Sequence, residues 1–316
     1  MPMTFGVHTG QQNCELHELV RLWKYVDRSG FDWISVWDHF EESPPIDRNG
    51  SCFEAVSAMT LLAAETRNVR VGCLVFCINY RHPAVLANAL CTIDHVSGGR
   101  MECGIGAGWH EAEYQGYGIS FEPIRVREDQ LEEGVQVIRL LFSQDVSNFK
   151  GQHYQLNDAR CNPKPFQKWP RIWVGGLGEK RTLRTAAKYA DGWNAPYISP
   201  EAFARKSRVI DDWCAKEGRD PKAILRTVNV GFYMGANEAA AKRHREGLAA
   251  QWGDRLQERA GGFLVGTARE AVDRIGEYER AGAARLSIAL RAPFDWEALQ
   301  VFVEEVMPAF GKKAAS

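Results

Sequence analysis

The residues best suited to chemistry stand directly after short apolar runs, where a strand would end. The first group is Asp38-His39-Phe40, and the second is the glycine-rich segment 104–111, which contains Gly106 and His110. A histidine beside an acid can exchange a proton with a redox ring, although it can equally hydrogen-bond its own loop. Glycines allow a cofactor to approach the backbone closely. Both groups are therefore candidates for a cofactor site, with His39 as the candidate acid or base.

A site for an anion is indicated by the segment Gly175-Gly176-Leu177-Gly178. An apolar run ends in these glycines, and a helix is predicted to begin at once, at Glu179. Free backbone N–H groups and the helix dipole would both favour a phosphate at that point. Lys180 and Arg181 can add positive charge, although a solvated face is their default interpretation. The segment therefore predicts a phosphate site.

Two known motifs come close to fitting the segment 104–111 and fail. The dinucleotide fingerprint G-x-G-x-x-G would need a third glycine where Trp109 stands, and it belongs to the first unit of an open sheet. The zinc motif H-E-x-x-H starts with His110 and Glu111 but meets Tyr114 in place of its second histidine. A metal hydrolase would need histidine and carboxylate ligands at several strand ends, and too few are found. We therefore predict no metal site.

Short apolar runs alternate with amphipathic segments along the chain. The segment 15–29, for example, has apolar residues at helical spacing and ends at Gly30. Strand–helix alternation predicts a parallel sheet, and eight such units favour an α/β fold of the (β/α)8 TIM-barrel type, with its site at the C-terminal ends of the strands. The predicted strands are Thr4–His8, Trp33–Trp37, Val69–Phe76, Arg100–Ile105, Arg171–Gly175, Ala190–Asn194, Leu225–Met234 and Arg285–Leu290.

A single domain is predicted for residues 1–316, because no segment has the composition of a linker. Two segments interrupt the repeat: residues 143–169 are polar and irregular, and residues 237–262 are charged with a helical pattern. We interpret both as insertions at the rim of the barrel, where lids and substrate walls are common. The segment Gln11-Gln12-Asn13 and Tyr80 are further candidates for the substrate walls.

Composition argues against several classes of protein. The formal net charge is -1, from 39 basic and 40 acidic residues, and nothing in it favours a nucleic-acid partner. No apolar stretch is long enough to cross a bilayer, and the first residues lack the features of a signal peptide, so we expect a cytoplasmic protein with no membrane partner. None of the 8 cysteines forms a C-x-x-C pair, which favours reduced structural thiols.

Taken in order, several segments of the chain resemble the luciferase-like (bacterial luciferase) superfamily, and in particular its branch that uses the deazaflavin coenzyme F420. The resemblance extends over nearly the whole chain to about Trp193. It depends on the order and spacing of the segments Gly30-Phe31-Asp32, Trp37-Asp38-His39-Phe40, Tyr80-Arg81-His82-Pro83, Ser97-Gly98-Gly99-Arg100, Gly104-Ile105-Gly106-Ala107-Gly108-Trp109, Asn162-Pro163-Lys164-Pro165, Gly175-Gly176-Leu177-Gly178-Glu179-Lys180-Arg181-Thr182-Leu183-Arg184 and Ala190-Asp191-Gly192-Trp193-Asn194.

This resemblance implies a barrel of the bacterial luciferase type, commonly a homodimer, that holds a deazaflavin over its third strand. It implies a bulge with a non-proline cis peptide in that strand, which by position would be Leu74–Val75. Asp38 and His39 would line the reactive face of the cofactor, and His110 would be the polar residue after the glycines of strand four. The segment Gly175–Gly178 would bind the phosphate.

The function implied is an F420-dependent oxidoreductase that transfers a hydride between the deazaflavin and a small organic substrate, with His39 as acid or base. An FMN-dependent luciferase-like monooxygenase is the first alternative, and a non-catalytic flavin-binding protein is the second. The sugar-phosphate dehydrogenases of the superfamily carry a glutamate where this chain has Ala107, and a tryptophan that has no counterpart in Phe40-Glu41-Glu42-Ser43. We therefore expect a substrate other than a sugar phosphate.

Overall fold

The computed structural model describes residues 3–43, 49–253, 256 and 260–311, so both ends of the predicted domain 1–316 lie outside the described residues. The strands are β1 (Thr4–Thr9), β2 (Trp33–Val36), β3 (Arg70–Cys73), β4 (Phe76–Cys77), β5 (Met101–Gly106), β6 (Ser147–Lys150), β7 (Gln155–Ala159), β8 (Ile172–Gly175), β9 (Gly192–Pro196), β10 (Leu225–Met234), β11 (Phe263–Gly266) and β12 (Arg285–Leu290). The helices are α1 (Leu16–Arg28), α2 (Ala55–Glu65), α3 (Pro83–Ser97), α4 (Glu111–Gly116), α5 (Ile124–Ser143), α6 (Thr182–Tyr189), α7 (Pro200–Lys216), α8 (Glu238–Trp252), α9 (Ala268–Arg280) and α10 (Trp296–Val301).

Parallel strands close into a barrel. β1 pairs with β2 on one side and with β12 on the other, where Thr4 lies opposite Arg285 and Thr9 opposite Leu290. The order then runs from β2 through β3, β5, β8, β9 and β10 back to β12, which closes the ring of eight strands. β4 pairs with β5 beyond the end of β3, and β11 adds a short strand to the far end of β10. The predicted (β/α)8 TIM barrel is confirmed.

Burial explains why these segments take up their structures. The strands lie between the barrel interior and the surrounding helices, and every residue of β5 is buried, as is typical of parallel sheets. Each outer helix needs only one apolar face toward the strands. In α1 that face consists of Leu19, Leu22, Trp23 and Val26.

A charged cluster lies inside the barrel near the N-terminal ends of its strands. The fully buried carboxylate of Glu102 accepts hydrogen bonds from Arg70 Nε at 2.5 Å, Trp173 Nε1 at 2.8 Å and Arg285 Nη1 at 3.2 Å. Burial alone would raise the pKa of Glu102, but the charges of Arg285, Arg70 and a third arginine, Arg171, lower it. The cluster therefore contains an ionised carboxylate, which is paired as a buried charge must be.

The third strand is interrupted. The sequence predicts one strand over Val69–Phe76, whereas the structure has β3 and β4 separated by Leu74–Val75. The peptide bond between these two residues is cis, as the family resemblance implies. On either side of the interruption, Val71 lies opposite Met101 and Phe76 lies opposite Ile105, so β3 and β4 pair with different parts of β5.

The helix after the glycine segment starts later than predicted. We predicted its start at Glu179, but α6 begins at Thr182 with Arg181 as its N-cap residue. The N–H of Leu183 donates to the carbonyl of Gly178 at 3.0 Å, which closes a turn ahead of the helix. A short loop therefore separates the glycines from the first turn of α6.

The segment 143–169, predicted to be an insertion at the rim, connects α5 to β8, and its role as a substrate wall stays a prediction. It contains the antiparallel hairpin β6–β7, and the carboxylate of Glu133 in α5 accepts the backbone N–H groups of residues 152–154. Further along, Gln167 bonds both Asp94 of α3 and the carbonyl of Met101, the first residue of β5. The segment thus passes from the hairpin, where the ring of Tyr154 lies 5.3 Å from that of His82 at the start of α3, back to the N-terminal ends of the strands.

The second predicted insertion, residues 237–262, follows the C-terminal end of β10 and therefore starts at the rim that carries the site. Its helical pattern is confirmed as α8, and residues 254–255 and 257–259 lie outside the described residues. All 8 cysteines are free thiols, as predicted. Within the described ranges, no helix is both long enough and apolar enough to cross a membrane.

Candidate active site

The candidate residues come together at one rim because parallel strands of a barrel all end on the same side. β2 leads into Asp38 and His39, and β4 leads toward Tyr80. β5 leads into the loop 107–110 and the short helix α4, and β8 leads into the glycine segment. The structure thus brings together segments that are far apart in the sequence.

The centre of this rim is a hydrogen-bonded pair of His39 and Glu113. Nδ1 of His39 lies 2.7 Å from Oε2 of Glu113, whose carboxylate is completely buried. The hydroxyl of Tyr80 donates to the same oxygen at 2.8 Å. The backbone N–H groups of Phe40 and Glu41 donate to Oε1 at 2.7 and 2.9 Å. One carboxylate therefore binds both the histidine and the loop that carries it.

The ionisation of Glu113 determines which nitrogen of His39 carries a proton. Burial alone would raise the pKa of Glu113, but the hydrogen bond and charge of His39, the backbone N–H of Glu41 and the hydroxyl of Tyr80 lower it to about 2. An ionised carboxylate only accepts hydrogen bonds, so Nδ1 of His39 must be the donor. In neutral His39 this leaves Nε2 as the acceptor.

Aromatic rings and a second histidine surround His39. The rings of Trp37 and Trp109 each lie 5.6 Å from the imidazole, edge to face. Trp109 is 59% exposed and also lies 4.9 Å from the ring of His110. His110 is buried, and its Nδ1 lies 3.2 Å from Oε2 of Glu113 without the alignment of a hydrogen bond. The three rings separate His39 from solvent on these sides.

The site also contains three side chains that could each offer a ligand atom to a metal ion, which the sequence did not predict: His39, His110 and Glu113. Their potential ligand atoms lie within 4.8 Å of one another. However, the four lone-pair positions of the Glu113 carboxylate already accept four hydrogen bonds, from His39, Tyr80 and two backbone N–H groups. The donor set therefore fits proton transfer better than metal binding.

Asp38, predicted to line the cofactor, has its carboxylate in contact with protein groups. Its two oxygens bind the guanidinium of Arg81 at 2.7 and 2.9 Å, and one also accepts the N–H of Cys77 at 2.8 Å. Burial lowers the pKa of Arg81, but the hydrogen bonds and charge of Asp38 outweigh it and raise that pKa. Asp38 therefore links the end of β2 to β4, through Cys77, and to the segment after β4, through Arg81.

The glycines of two strands make room for the side chain of Val75. A Cβ atom placed on Gly106 would lie 2.6 Å from a methyl carbon of Val75, and one on Gly175 would lie 2.6 Å from the other. On Gly104, a Cβ atom would lie 2.0 Å from the carbonyl oxygen of Cys73 and 3.1 Å from Leu74. The strand that carries the cis bond can therefore approach β5 and β8 only where they have no side chain.

The glycine segment after β8 presents free amides at the surface. Gly175, Gly176 and Leu177 are partly exposed and Gly178 is exposed. Gly176 donates to the carbonyl of Asn194 at 3.2 Å, and among the described residues nothing accepts the backbone N–H groups of Leu177 or Gly178. The segment therefore has the donors that an anion requires.

Three positively charged side chains lie in or beside the glycine segment: Arg181 and the exposed Lys180, which the sequence predicts, and Lys206, which it does not. Arg181, a candidate for added charge, is bound to Asp129 of α5. Lys206 of α7, which the sequence analysis missed, bonds the carbonyl of Leu177 at 2.9 Å and the carboxylate of Glu179 at 3.0 Å. Lys206 thus fixes the loop, and its charge is paired with that of Glu179.

The glutamines proposed as substrate walls are engaged in holding the loop after β2. The buried amide of Gln11 bonds the carbonyls of Trp37 and Phe53, and that of Gln12 bonds the backbone of Ser43. These contacts explain why the segment 37–43 is well positioned although it has no regular secondary structure. The side chains of Gln11 and Gln12 therefore stabilise the loop that carries His39.

Glu113 was missed by the sequence analysis, although a signal for it existed. It stands three residues after His110, and residues at that spacing lie on the same side of a helix. The helix in question, α4, has only six residues, too few for a periodic pattern to be recognised. Its contact with His39 joins residues 74 positions apart, which no local pattern predicts.

A closed (β/α)8 barrel with a histidine–carboxylate pair at the C-terminal strand ends is the architecture of a barrel enzyme. The sequence model of the family described as luciferase-like monooxygenase matches residues 1–285. The chain belongs to this family, which confirms both the resemblance and the expectation of an enzyme.

Among relatives, the chain is 26% identical to an F420-dependent glucose-6-phosphate dehydrogenase of Microbacterium testaceum, over 100% of this chain and 99% of that protein. It is 30% identical to a 5,10-methylenetetrahydromethanopterin reductase of Archaeoglobus fulgidus, over 70% of this chain and 61% of that protein. In structure it is similar to an F420-dependent secondary alcohol dehydrogenase in complex with an F420-acetone adduct (TM-score 0.84, 20% identity, 98% and 99% coverage). It is also similar to the EDTA monooxygenase of Chelativorans sp. BNC1 (TM-score 0.81, 16% identity, 100% and 96% coverage).

Proposed function

We propose that the protein is an F420-dependent oxidoreductase that transfers a hydride between the deazaflavin and a small organic substrate. The observation that carries the proposal is the pair of His39 and Glu113 at the catalytic rim, joined at 2.7 Å. When a hydride leaves a carbon that bears a hydroxyl, the hydroxyl proton must go to a base. Nε2 of His39 is the free acceptor of this pair and supplies that base.

The residues present fit the cofactor. Two amides of the glycine segment, at Leu177 and Gly178, have no described acceptor and can bind a phosphate group, and Lys206, paired with Glu179, holds the carbonyl of Leu177 beside them. Leu74 and Val75 provide an apolar surface at the C-terminal end of β3, on which a flat ring can pack. F420, when bound, accepts or donates the hydride.

Residues of the chain accept and return the proton of the reaction. In the direction of oxidation, Nε2 of His39 accepts the hydroxyl proton of the substrate, and the imidazole becomes an imidazolium. The ionised Glu113 stabilises that charge through Nδ1. In the direction of reduction, the imidazolium returns the proton to the substrate oxygen. Trp37 and Trp109 limit the access of water to the imidazole.

The comparisons support this proposal in two ways. One sequence relative and one similar structure, both covering nearly the whole chain, have F420-dependent activity in their names. They act on different alcohols, a sugar phosphate and a secondary alcohol, so they leave the substrate of this chain open. Because this chain has Ala107 where sugar-phosphate dehydrogenases of the superfamily carry a glutamate, we propose a small alcohol or carbonyl compound rather than a sugar phosphate.

An FMN-dependent monooxygenase is the second candidate, favoured by the likeness to the EDTA monooxygenase. A titration of the purified apoprotein with F420 and with FMN, followed by ring absorbance or fluorescence, distinguishes the two. We expect F420 to bind more tightly, and the F420 complex to oxidise or reduce members of a panel of small alcohols and ketones. Binding of FMN alone would replace the proposal by the monooxygenase.

The remaining alternative, a flavin-binding protein without turnover, makes a different prediction for His39. If the protein is an enzyme, the substitution His39→Asn keeps cofactor affinity and lowers turnover by at least 100-fold, within the range for loss of a general acid or base. Unchanged turnover would remove His39 from the mechanism. The expected cytoplasmic location and homodimer stay predictions, and light scattering of the purified protein tests the dimer.

A further inference from the structure

We infer that Glu113 is the positioning residue of the active site, which fixes the proton of neutral His39 on Nδ1 and so makes Nε2 a base. This inference rests on the proposed function, because it assigns the role of a residue that does not itself touch substrate. It adds Glu113 of α4 to the residues on which the reaction depends. Its basis is the set of hydrogen bonds around one buried carboxylate.

Four groups form hydrogen bonds with this carboxylate. Oε1 accepts the backbone N–H groups of Phe40 and Glu41, and Oε2 accepts the hydroxyl of Tyr80 and Nδ1 of His39. The side chain of Glu113 is fully buried, so within this arrangement no water competes for these positions. The two backbone N–H groups and the hydroxyl of Tyr80 are donors, and together with His39 they lower the pKa of Glu113, so the carboxylate is ionised and Nδ1 of His39 is the fourth donor.

The two oxygens have separable tasks. Oε1 holds the backbone of the loop after β2, which carries His39, and this determines where the imidazole lies. Oε2 holds Nδ1 and determines which tautomer the imidazole adopts. Charged and titratable groups that face His39 from each neighbouring element are Glu113 and His110 of the α4 segment, Tyr80 after β4, Asp38 after β2, His8 of β1 and Cys52 before α2.

The substitution Glu113→Gln separates the two tasks. A glutamine has one acceptor oxygen and one NH2 donor in place of two acceptors. With its oxygen on the two backbone N–H groups, its NH2 group faces Nδ1 of His39. His39 then accepts at Nδ1 and carries its proton on Nε2, so that Nε2 changes from a base to a donor. The variant therefore loses the base, whereas the loop after β2 keeps its backbone hydrogen bonds to residue 113.

The change of tautomer can be measured by 15N NMR of the histidine side chains, which requires neither cofactor nor turnover. We expect the wild-type spectrum to show neutral His39 with its proton on Nδ1, and the Glu113→Gln spectrum to show it on Nε2. Turnover of the F420 complex should fall by about 100-fold with little change in KM, and the limb of the pH–rate profile that reports the base should be displaced.

Two controls separate positioning from a general loss of structure. Glu111→Gln makes the same chemical change on the same helix at an exposed residue bonded to Gln115, and we expect unchanged turnover and tautomer. Tyr80→Phe removes the second donor to Oε2 but leaves Nδ1 in place. We expect this variant to keep the wild-type tautomer.

Wild-type His39 with its proton on Nε2 would overturn the inference directly, even if Glu113→Gln does not fold. So would an unchanged tautomer, or turnover within threefold of wild type, in the folded variant. Failure of the proposed function has a different signature: the wild-type protein would bind no F420 or show no F420-dependent turnover, whatever the NMR spectra of His39.

Discussion

The carboxylate of Asp38 and the guanidinium of Arg81 face each other in a two-point ion pair, with N–O distances of 2.7 and 2.9 Å. The Asp38 carboxylate is almost completely buried and also accepts the N–H of Cys77. The pair therefore ties His39, the next residue along the chain, to the backbone that follows the cis bond. A residue predicted to face the cofactor is thus part of the framework that holds its neighbour.

We expect Asp38→Asn to lower the free energy of unfolding by about 3 kcal/mol, because it leaves the charge of Arg81 largely buried without its main partner. Urea unfolding followed by circular dichroism measures this. The matched control is Glu65→Gln, which breaks the exposed ion pair with Lys24 and should cost less than about 1 kcal/mol. Equal effects of the two substitutions would contradict the structural role given to Asp38.

The close packing of Val75 against two glycines predicts a steric effect at Gly106. A Cβ atom there would lie 2.6 Å from Val75, so Gly106→Ala should lower the free energy of unfolding by about 1–3 kcal/mol through overpacking. The double variant Gly106→Ala/Val75→Ala should recover part of that loss, because it removes the methyl group that collides. Additive effects in a double-mutant cycle would show that the two residues do not contact each other.

The glycine segment can be tested for anion binding at Gly176, whose φ of +132° disfavours a side chain. Gly176→Ala would also place a Cβ atom 3.0 Å from Thr182 and disturb the free amides that follow. We expect the Kd for F420 to rise at least tenfold. Gly218→Ala also introduces a side chain at a positive φ, +67°, with no neighbouring atom within 4 Å, so it causes a smaller backbone strain far from the site and should leave the Kd unchanged. A similar Kd for both variants would argue against the phosphate site.

As the pH falls below 6.5, we expect the protonation of His8 to lower the free energy of unfolding. Burial, with smaller contributions from the charges of Arg291 and His39, lowers the pKa of His8 from 6.5 to about 3, and its Nδ1 lies 2.8 Å from the hydroxyl of Ser35. Below pH 6.5, His8 therefore binds a proton in the unfolded chain. In the folded protein it does not bind one until the pH falls to about 3. The free energy of unfolding should fall by roughly 1.4 kcal/mol per pH unit from this residue between those values.

His8→Asn should flatten the dependence of the unfolding midpoint on pH between about 6.5 and 4.5, where Glu113 contributes little. Glu113 has a pKa lowered to about 2, so its stabilising effect is present above the unfolded value of 4.5 and is lost as the pH falls toward 2. Glu113→Gln should therefore change the slope only below about pH 4.5. Thermal unfolding at several pH values measures both slopes, and identical curves for the three proteins would refute the assignment.

Patterns local to the chain were sufficient to predict the order of the strands, the closed barrel and the positions of His39 and the glycine segment. Periodicity identifies each element, and the known geometry of parallel barrels then places all strand ends that precede a helix at one rim. The start of α6 was misplaced because the turn at 179–181 depends on contacts with α5 and α7.

The sequence by itself determined which side chains reach the rim of the barrel. Only the tertiary structure decided what these side chains do there: Glu113 holds His39 across 74 residues, and Asp38 is bound to Arg81 across 43. Hydrogen bonds and ion pairs depend on distances of about 3 Å between atoms, and periodicity places a residue only on a face or at an end of its element. The protonation state of the site depends on those distances, and only the folded barrel determines them.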